Sequence, residues 1–243
     1  MHENIVEFEV HGDYALFSDP ITRTGGEKCT YLIPTYEAIK GVLHSVYWKP
    51  TIVWIIDEIR IMNQILTVTK GIRPIRYDNG KNELSFYTYL KDCRYQVKAH
   101  FEWNENRPEL VKDRNENKHH NVAKRMIEKG GKRDVFLGCR ECQAYVEPCI
   151  YGQGKGFYDN PASVSEVSFG LMYHGITYAD EANTIETKGK MTARFWYSVM
   201  KNGNIKFPHP KECPVSRPIR SMSIKPFGEQ LHNFTCILES EEV

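Results

Sequence analysis

From Tyr95 to Trp103 the chain alternates without a break. Tyr95, Val97, Ala99, Phe101 and Trp103 fall on one side of an extended chain, and Gln96, Lys98, His100 and Glu102 fall on the other. Successive side chains of a strand point to opposite faces. The segment therefore predicts a half-buried strand whose second face is polar and partly basic, and a chain carrying it must build a sheet with one covered side. Residues 5–10 alternate in the same way. Residues 51–61 are rich in β-branched side chains and predict a central strand. Asp78-Asn79-Gly80 is a hairpin signal, and the strands after it carry Phe86, Tyr87 and Tyr89.

Two segments have helical rather than strand period. Pro34-Thr35 opens the first, with Glu37 in its first turn and Ala38, Ile39, Val42, Leu43, Val46 and Tyr47 along one face; Pro50 closes it. The second spans residues 119–129, with Val122, Ala123, Met126 and Ile127 apolar, and Gly130-Gly131 ends it. Another strand begins at Val135. The order strand, helix, strand, several antiparallel strands, helix, strand predicts an α+β protein with a ferredoxin-like sheet. Beyond about residue 150, glycines and prolines break the chain into short pieces. The expected organisation is a domain over 1–150 and a small, mostly β C-terminal domain over 151–243.

Composition narrows the class. At 243 residues and 41% hydrophobic content the chain can bury a sizeable core. No run approaches a membrane span, and the start reads as no signal peptide, so a cytoplasmic protein is expected. Seven cysteines at irregular spacing suit reduced thiols. The net charge of +1 does not by itself point to nucleic acid, but its distribution does. Ten Lys/Arg against five Asp/Glu lie between Arg107 and Arg140, and six against one between Lys201 and Lys225, while the tail carries Glu239, Glu241 and Glu242.

Metal chemistry has weak support. Cys139-Arg140-Glu141-Cys142 has CxxC spacing, but it is expected in a strand, where residues three apart point to opposite faces. His119 and His120 are adjacent rather than four apart. No metal and no cofactor is expected. Gly152-x-Gly154-x-Gly156 lacks the ending of a phosphate-binding loop and reads as a flexible loop, with contact of Lys155 to a nucleic-acid backbone left open.

Lys118-His119-His120 offers an acid/base group and a cation side by side in a basic segment. RNA carries its own nucleophile, the 2′-hydroxyl. Cleaving it requires a group that takes or orients that proton, a group that protonates the departing 5′-oxygen, and a cation near the phosphorane. Histidine titrates near neutrality, lysine supplies a point charge, and tyrosine orients a hydroxyl or acts as base if its pKa is lowered. His119, Lys118 and Tyr47 fit these roles. Spacing alone leaves open whether residues 47 and 118 meet, and a surface Lys-His pair with a packed tyrosine is the plainer alternative.

Gly12-Asp13-Tyr14-Ala15-Leu16-Phe17, Gly25-Gly26-Glu27-Lys28, Pro34-Thr35-Tyr36, Tyr47-Trp48-Lys49-Pro50-Thr51, Tyr89-Leu90-Lys91-Asp92, 95–101, Asp113-Arg114-Asn115-Glu116, Lys118-His119 and 133–142 together carry a resemblance. The chain resembles the CRISPR-associated endoribonuclease of type I-C (Dvulg subtype) systems, a fifth-family subunit of the RAMP superfamily. The resemblance implies an RRM-type ferredoxin-like domain with a small β domain. It also implies metal-independent cutting of CRISPR precursor RNA at the 3′ base of the repeat hairpin, leaving 5′-hydroxyl and 2′,3′-cyclic phosphate ends. The family's catalytic residues fall on Tyr47, Lys118 and His119. His120 departs from the family pattern and leaves open a substitution for His119.

The implied partners are repeat RNA, as precursor and as the 5′ handle of the mature product, and the other subunits of the type I-C interference complex. Arg107, Lys112, Arg114, Lys124, Arg125, Lys132 and Arg133 are candidate phosphate contacts. Two alternatives stand beside cutting: a structural subunit that holds the RNA handle without cleaving it, and a duplex-DNA binder.

Overall fold

The computed structural model describes residues 4–20, 22, 26–78, 80–182 and 184–224. Gly25 of the Gly25-Gly26 pair, Asn79 of the hairpin signal, Lys225 and the acidic tail lie outside the described residues.

Among the described residues, ten strands form one hydrogen-bonded sheet. They are β1 (Val6–Ala15), β2 (Ile52–Ile61), β3 (Leu66–Ile72), β4 (Ser85–Trp103), β5 (Val135–Phe136), β6 (Gln143–Pro148), β7 (Glu166–Thr177), β8 (Lys190–Lys201), β9 (Asn204–Lys206) and β10 (Val215–Ser221). Helix α1 (Tyr36–Val46) follows β1, and α2 (Glu116–Glu128) follows β4. The central order β2-β4-β1-β6 is antiparallel throughout. Counting only those strands, the chain runs β-α-β-β-α-β with spatial order 2-3-1-4, the ferredoxin-like arrangement the sequence predicts. The core lies between sheet and helices, with Phe8, Trp54, Ile56 and Ile59 of the strands against Ile39 and Leu43 of α1, all 1% exposed or less.

Residues 151–224 supply β7 to β10, so the C-terminal part is β-rich as expected. Its sheet continues the first: β9 pairs with β2 through Glu58, Ile59 and Arg60. The same part packs on α1. His174 stacks on Tyr36 at 4.1 Å, buried Lys40 pairs with Glu181, and Arg194 reaches Glu37 at 3.8 Å.

Four local readings are corrected. The expected separate strands after the hairpin are one 19-residue strand, β4, which pairs β3 with its first half and β2 with its second. The polar face of β4 is covered at Gln96 and His100, each 3% exposed, while Lys98 and Glu102 are half-buried. What covers Gln96 is the glycine loop, whose Gly152 N–H donates to Gln96 Oε1 while Gln96 Nε2 donates to Gln153 O. The loop's carbonyls at Gln153 and Gly154 accept from Arg60 and its Gly156 N–H donates to Asp159 Oδ2, so the loop is anchored on the Arg60–Asp159 pair. Cys139 and Cys142 sit in the tight turn from β5 to β6, with Cys142 N–H donating to Cys139 O, which brings their sulfurs to 3.4 Å instead of to opposite faces of a strand.

Candidate active site

Tyr47 enters the site because α1 stops there. Thr35 caps the helix by accepting from Ala38 N–H, and buried Tyr36, Ile39, Lys40, Val42, Leu43 and Val46 mark its inner face. Helical geometry ends at Val46, four residues before Pro50, and Tyr47 is extended (φ −156°, ψ 123°). Its carbonyl accepts from Trp54 Nε1 at 2.8 Å, which ties the turn to β2 and aims the ring across the sheet end.

Lys118 and His119 enter on α2, which begins earlier than its apolar pattern suggests. Asn115 is the N-cap: its side-chain oxygen accepts from Lys118 N–H at 3.0 Å. Lys118 and His119 therefore lie inside the first turn rather than ahead of the helix. His119, Ala123 and Ile127, four residues apart, form the buried stripe. The C-terminus is closed by Gly130 and Gly131, both at positive φ, with Gly131 N–H donating to Met126 O.

The helix brings Tyr47 and His119 together across 72 residues of sequence. Tyr47 Oη and His119 Nδ1 are 2.7 Å apart, and His119 Nε2 lies 2.8 Å from the main-chain oxygen of Asp113. A carbonyl only accepts, so Nε2 carries hydrogen. In the neutral ring Nδ1 is then the acceptor and the Tyr47 hydroxyl the donor. The ring is wholly buried, with Phe101, Trp103 and Tyr47 around it at centroid distances of 6.1, 5.8 and 6.0 Å. Burial raises the Tyr47 phenol above its ordinary pKa, and the nearby Asp113 carboxylate adds to this. A pre-formed phenolate is thereby disfavoured, and the hydroxyl is left to orient or pass a proton.

Lys118 joins the pair through Asp113. Its ammonium lies 2.5 Å from Asp113 Oδ1, while more than half of its side chain faces solvent. The site thus has a buried phenol–imidazole pair and an exposed cation at its mouth. His120 is directed elsewhere: its Nε2 lies 2.9 Å from Ile5 O at the start of the sheet.

The basic residues divide into two groups. Lys112, Lys124, Arg125, Lys132 and Arg133 are exposed. Lys132 and Arg133 both donate their backbone N–H to Ser45 O, two residues before Tyr47. Arg107 is 5% exposed and reaches Glu109 and Asp180 at 3.6 and 3.4 Å. Arg114 is bidentate on Glu105 and donates to Asn104 O. Sequence reasoning missed Asp113 and Thr51, whose side chains are hydrogen-bonded at 2.8 Å. The run Asp113-Arg114-Asn115 looked like part of a basic surface, and only a carboxylate five residues before Lys118 signalled otherwise. Among the described residues no three His, Cys, Asp or Glu side chains are grouped to hold a metal, and no helix is long and apolar enough to cross a membrane.

The profile of one protein family, described as CRISPR-associated protein (Cas_Cas5) and designated Cas5d, matches residues 5–208. The chain is similar to the CRISPR pre-crRNA endoribonuclease Cas5d of Mannheimia succiniciproducens, with 26% identity over 240 residues, covering 84% of this chain and 95% of that protein. Among solved structures it is similar to a CRISPR-associated protein, with a TM-score of 0.72 and 33% identity over 88% of this chain and 96% of the other. A functionally uncharacterized Streptococcus mutans protein matches comparably, with a TM-score of 0.70 and 34% identity over the same shares.

Proposed function

This chain belongs to the Cas5d family of CRISPR-associated proteins, and we propose that it is an endoribonuclease that cuts CRISPR precursor RNA within each repeat. The name of the Mannheimia succiniciproducens relative supports the activity. The observation that carries the mechanism is the 2.7 Å contact of Tyr47 Oη with His119 Nδ1, with Lys118 tied to the same spot through Asp113.

In this reading the substrate's 2′-hydroxyl attacks the adjacent phosphorus in line with the departing 5′-oxygen. Tyr47 Oη takes the 2′-proton as its own proton passes to His119 Nδ1, so the buried imidazole acts as base without touching RNA. The Lys118 ammonium meets the charge that develops on the phosphorane and protonates the 5′-oxygen as it leaves. The products are a 2′,3′-cyclic phosphate and a 5′-hydroxyl, and no metal takes part. Exposed Lys112, Lys124, Arg125, Lys132 and Arg133 hold RNA phosphates around the mouth. The protein then stays on the 5′ handle of its product beside the other subunits of the type I-C interference complex.

A second reading has one observation in its favour. Both His119 nitrogens are engaged inside the protein, as they would be in a subunit that only clamps the RNA handle.

The deciding experiment incubates purified protein with the repeat RNA of its own CRISPR array in EDTA. The cutting reading predicts a single cut at the 3′ base of the hairpin, with 5′-hydroxyl and cyclic phosphate ends. Tight binding without a cut supports the clamp, and a cut that requires Mg²⁺ overturns the mechanism.

A further inference from the structure

Asp113 presents three oxygens to three different partners. Oδ1 lies 2.5 Å from Lys118 Nζ, Oδ2 accepts from Thr51 Oγ1 at 2.8 Å, and the main-chain oxygen lies 2.8 Å from His119 Nε2. Oδ2 is also 3.5 Å from the same imidazole nitrogen. The residue ends the 3₁₀ turn Pro108–Asp113, and that turn is held on both sides. Arg114 is bidentate on Glu105 and bonded to Asn104 O, while Asn104 N–H donates to Thr51 O. The end of β4, the start of β2 and the first turn of α2 thus meet at one aspartate.

We propose that Asp113 is the positioning residue of the cleavage site: its carboxylate fixes the Lys118 ammonium over the Tyr47–His119 pair, and its carbonyl fixes the proton on His119 Nε2. The proposal rests on the cutting reading above. A lysine on a flexible stem at the mouth of a site would otherwise sample many positions, and a charge displaced by about 1 Å costs on the order of 10²-fold in rate. The carbonyl contact sets which imidazole nitrogen is free to receive the Tyr47 proton. Asp113 stays ionised for this work, since the Lys118 hydrogen bond holds its carboxyl below the usual range. The arrangement has a cost: a fixed negative charge beside the ammonium opposes an incoming phosphate. Asp113 therefore favours turnover at the expense of affinity, a combination that a purely structural residue does not produce.

Asp113→Asn keeps the shape, the Thr51 contact and the main-chain carbonyl but removes the charge. With saturating protein and repeat RNA, cleavage should fall ~10- to 100-fold, while RNA binding stays unchanged or tightens. The variant should melt close to wild type. In a Lys118→Ala background the same substitution should have a much smaller effect on rate, because the carboxylate acts mainly through that lysine. Cleavage by Asp113→Asn within about twofold of wild type overturns the proposal, and so does a full loss that persists in the Lys118→Ala background. If wild type itself binds the repeat and never cuts, the cutting reading and this proposal fall together. If wild type cuts and Asp113→Asn cuts equally well, only this proposal falls.

Discussion

The Tyr47 hydroxyl donates to His119 Nδ1 across 2.7 Å, because His119 Nε2 is already committed as a donor to Asp113 O. Two groups joined in this way work as a unit, so their removal should not be additive. Tyr47→Phe keeps the ring and deletes only the relay. Its single-turnover cleavage should drop about 10²–10⁴-fold with RNA affinity nearly intact. His119→Gln should drop it comparably, and the double variant should be no slower than the slower single one. Multiplying losses, measured in the same assay, would mean that phenol and imidazole act on different atoms of the RNA.

His120 is adjacent in sequence but not in role. Its ring is held by Ile5 O, toward the start of the sheet and away from Tyr47. His120→Ala should cleave within about threefold of wild type, and adding it to a His119 variant should change nothing further. A residual rate in the His119 variant that vanishes on removing His120 would show the two rings exchanging roles.

The basic residues should separate by experiment as they do by burial. Lys132 and Arg133 are exposed on the loop bonded to Ser45 O. Replacing both with alanine should weaken RNA binding and lower the salt dependence of log K by ~0.7–0.9 per lost phosphate contact. Arg107 is buried against Glu109 and Asp180. Arg107→Ala should lower the melting temperature and leave the salt slope unchanged. Fluorescence anisotropy at several salt concentrations, with thermal melts, reads both.

Stability should decline in mild acid. Burial pushes His174 down to about 3, with the nearby Arg194 charge adding to it, and burial pushes His44 down to about 4, with Lys40 adding. Both lie below the unfolded value near 6.5, so below that pH the unfolded chain binds more protons than the folded one. The stabilisation is complete above pH ~6.5 and is lost as pH falls toward 4 and then 3, by at most ~1.4 kcal/mol per pH unit for each histidine. Urea midpoints at pH 7 and pH 5 should show the drop, and His174→Gln should reduce it to the share that His44 contributes. A midpoint that is constant between those pH values would contradict neutral, buried histidines.

The architecture was legible because its signals are local. The alternation of 5–10 and 95–103 and the helical spacing of Ala38 to Val46 each lie within one element, and their order fixes a ferredoxin-like sheet. Burial of His119 was missed, because the helix was expected to begin there and the Lys-His pair read as a surface feature, although His119 stands four residues before Ala123 and eight before Ile127. Its meeting with Tyr47 was not legible, because no spacing rule spans 72 residues. The joining of β9 to β2 was hidden for another reason: three residues are too few to carry a period. Gln96 and His100 read as a solvated face because their burial depends on more distant parts of the chain, the 150–156 loop over Gln96 and Asp57 beside His100.

The account stands most directly on the substrate's own hydroxyl being the nucleophile that Tyr47 and His119 deprotonate. Repeat RNA bearing one 2′-deoxyribose, at the nucleotide on the 5′ side of the cut, isolates that step. The account predicts unchanged binding and no detectable cleavage at that position. Cleavage persisting there at a rate near that of the all-ribose RNA would contradict it, since water or another group would then be attacking the phosphorus.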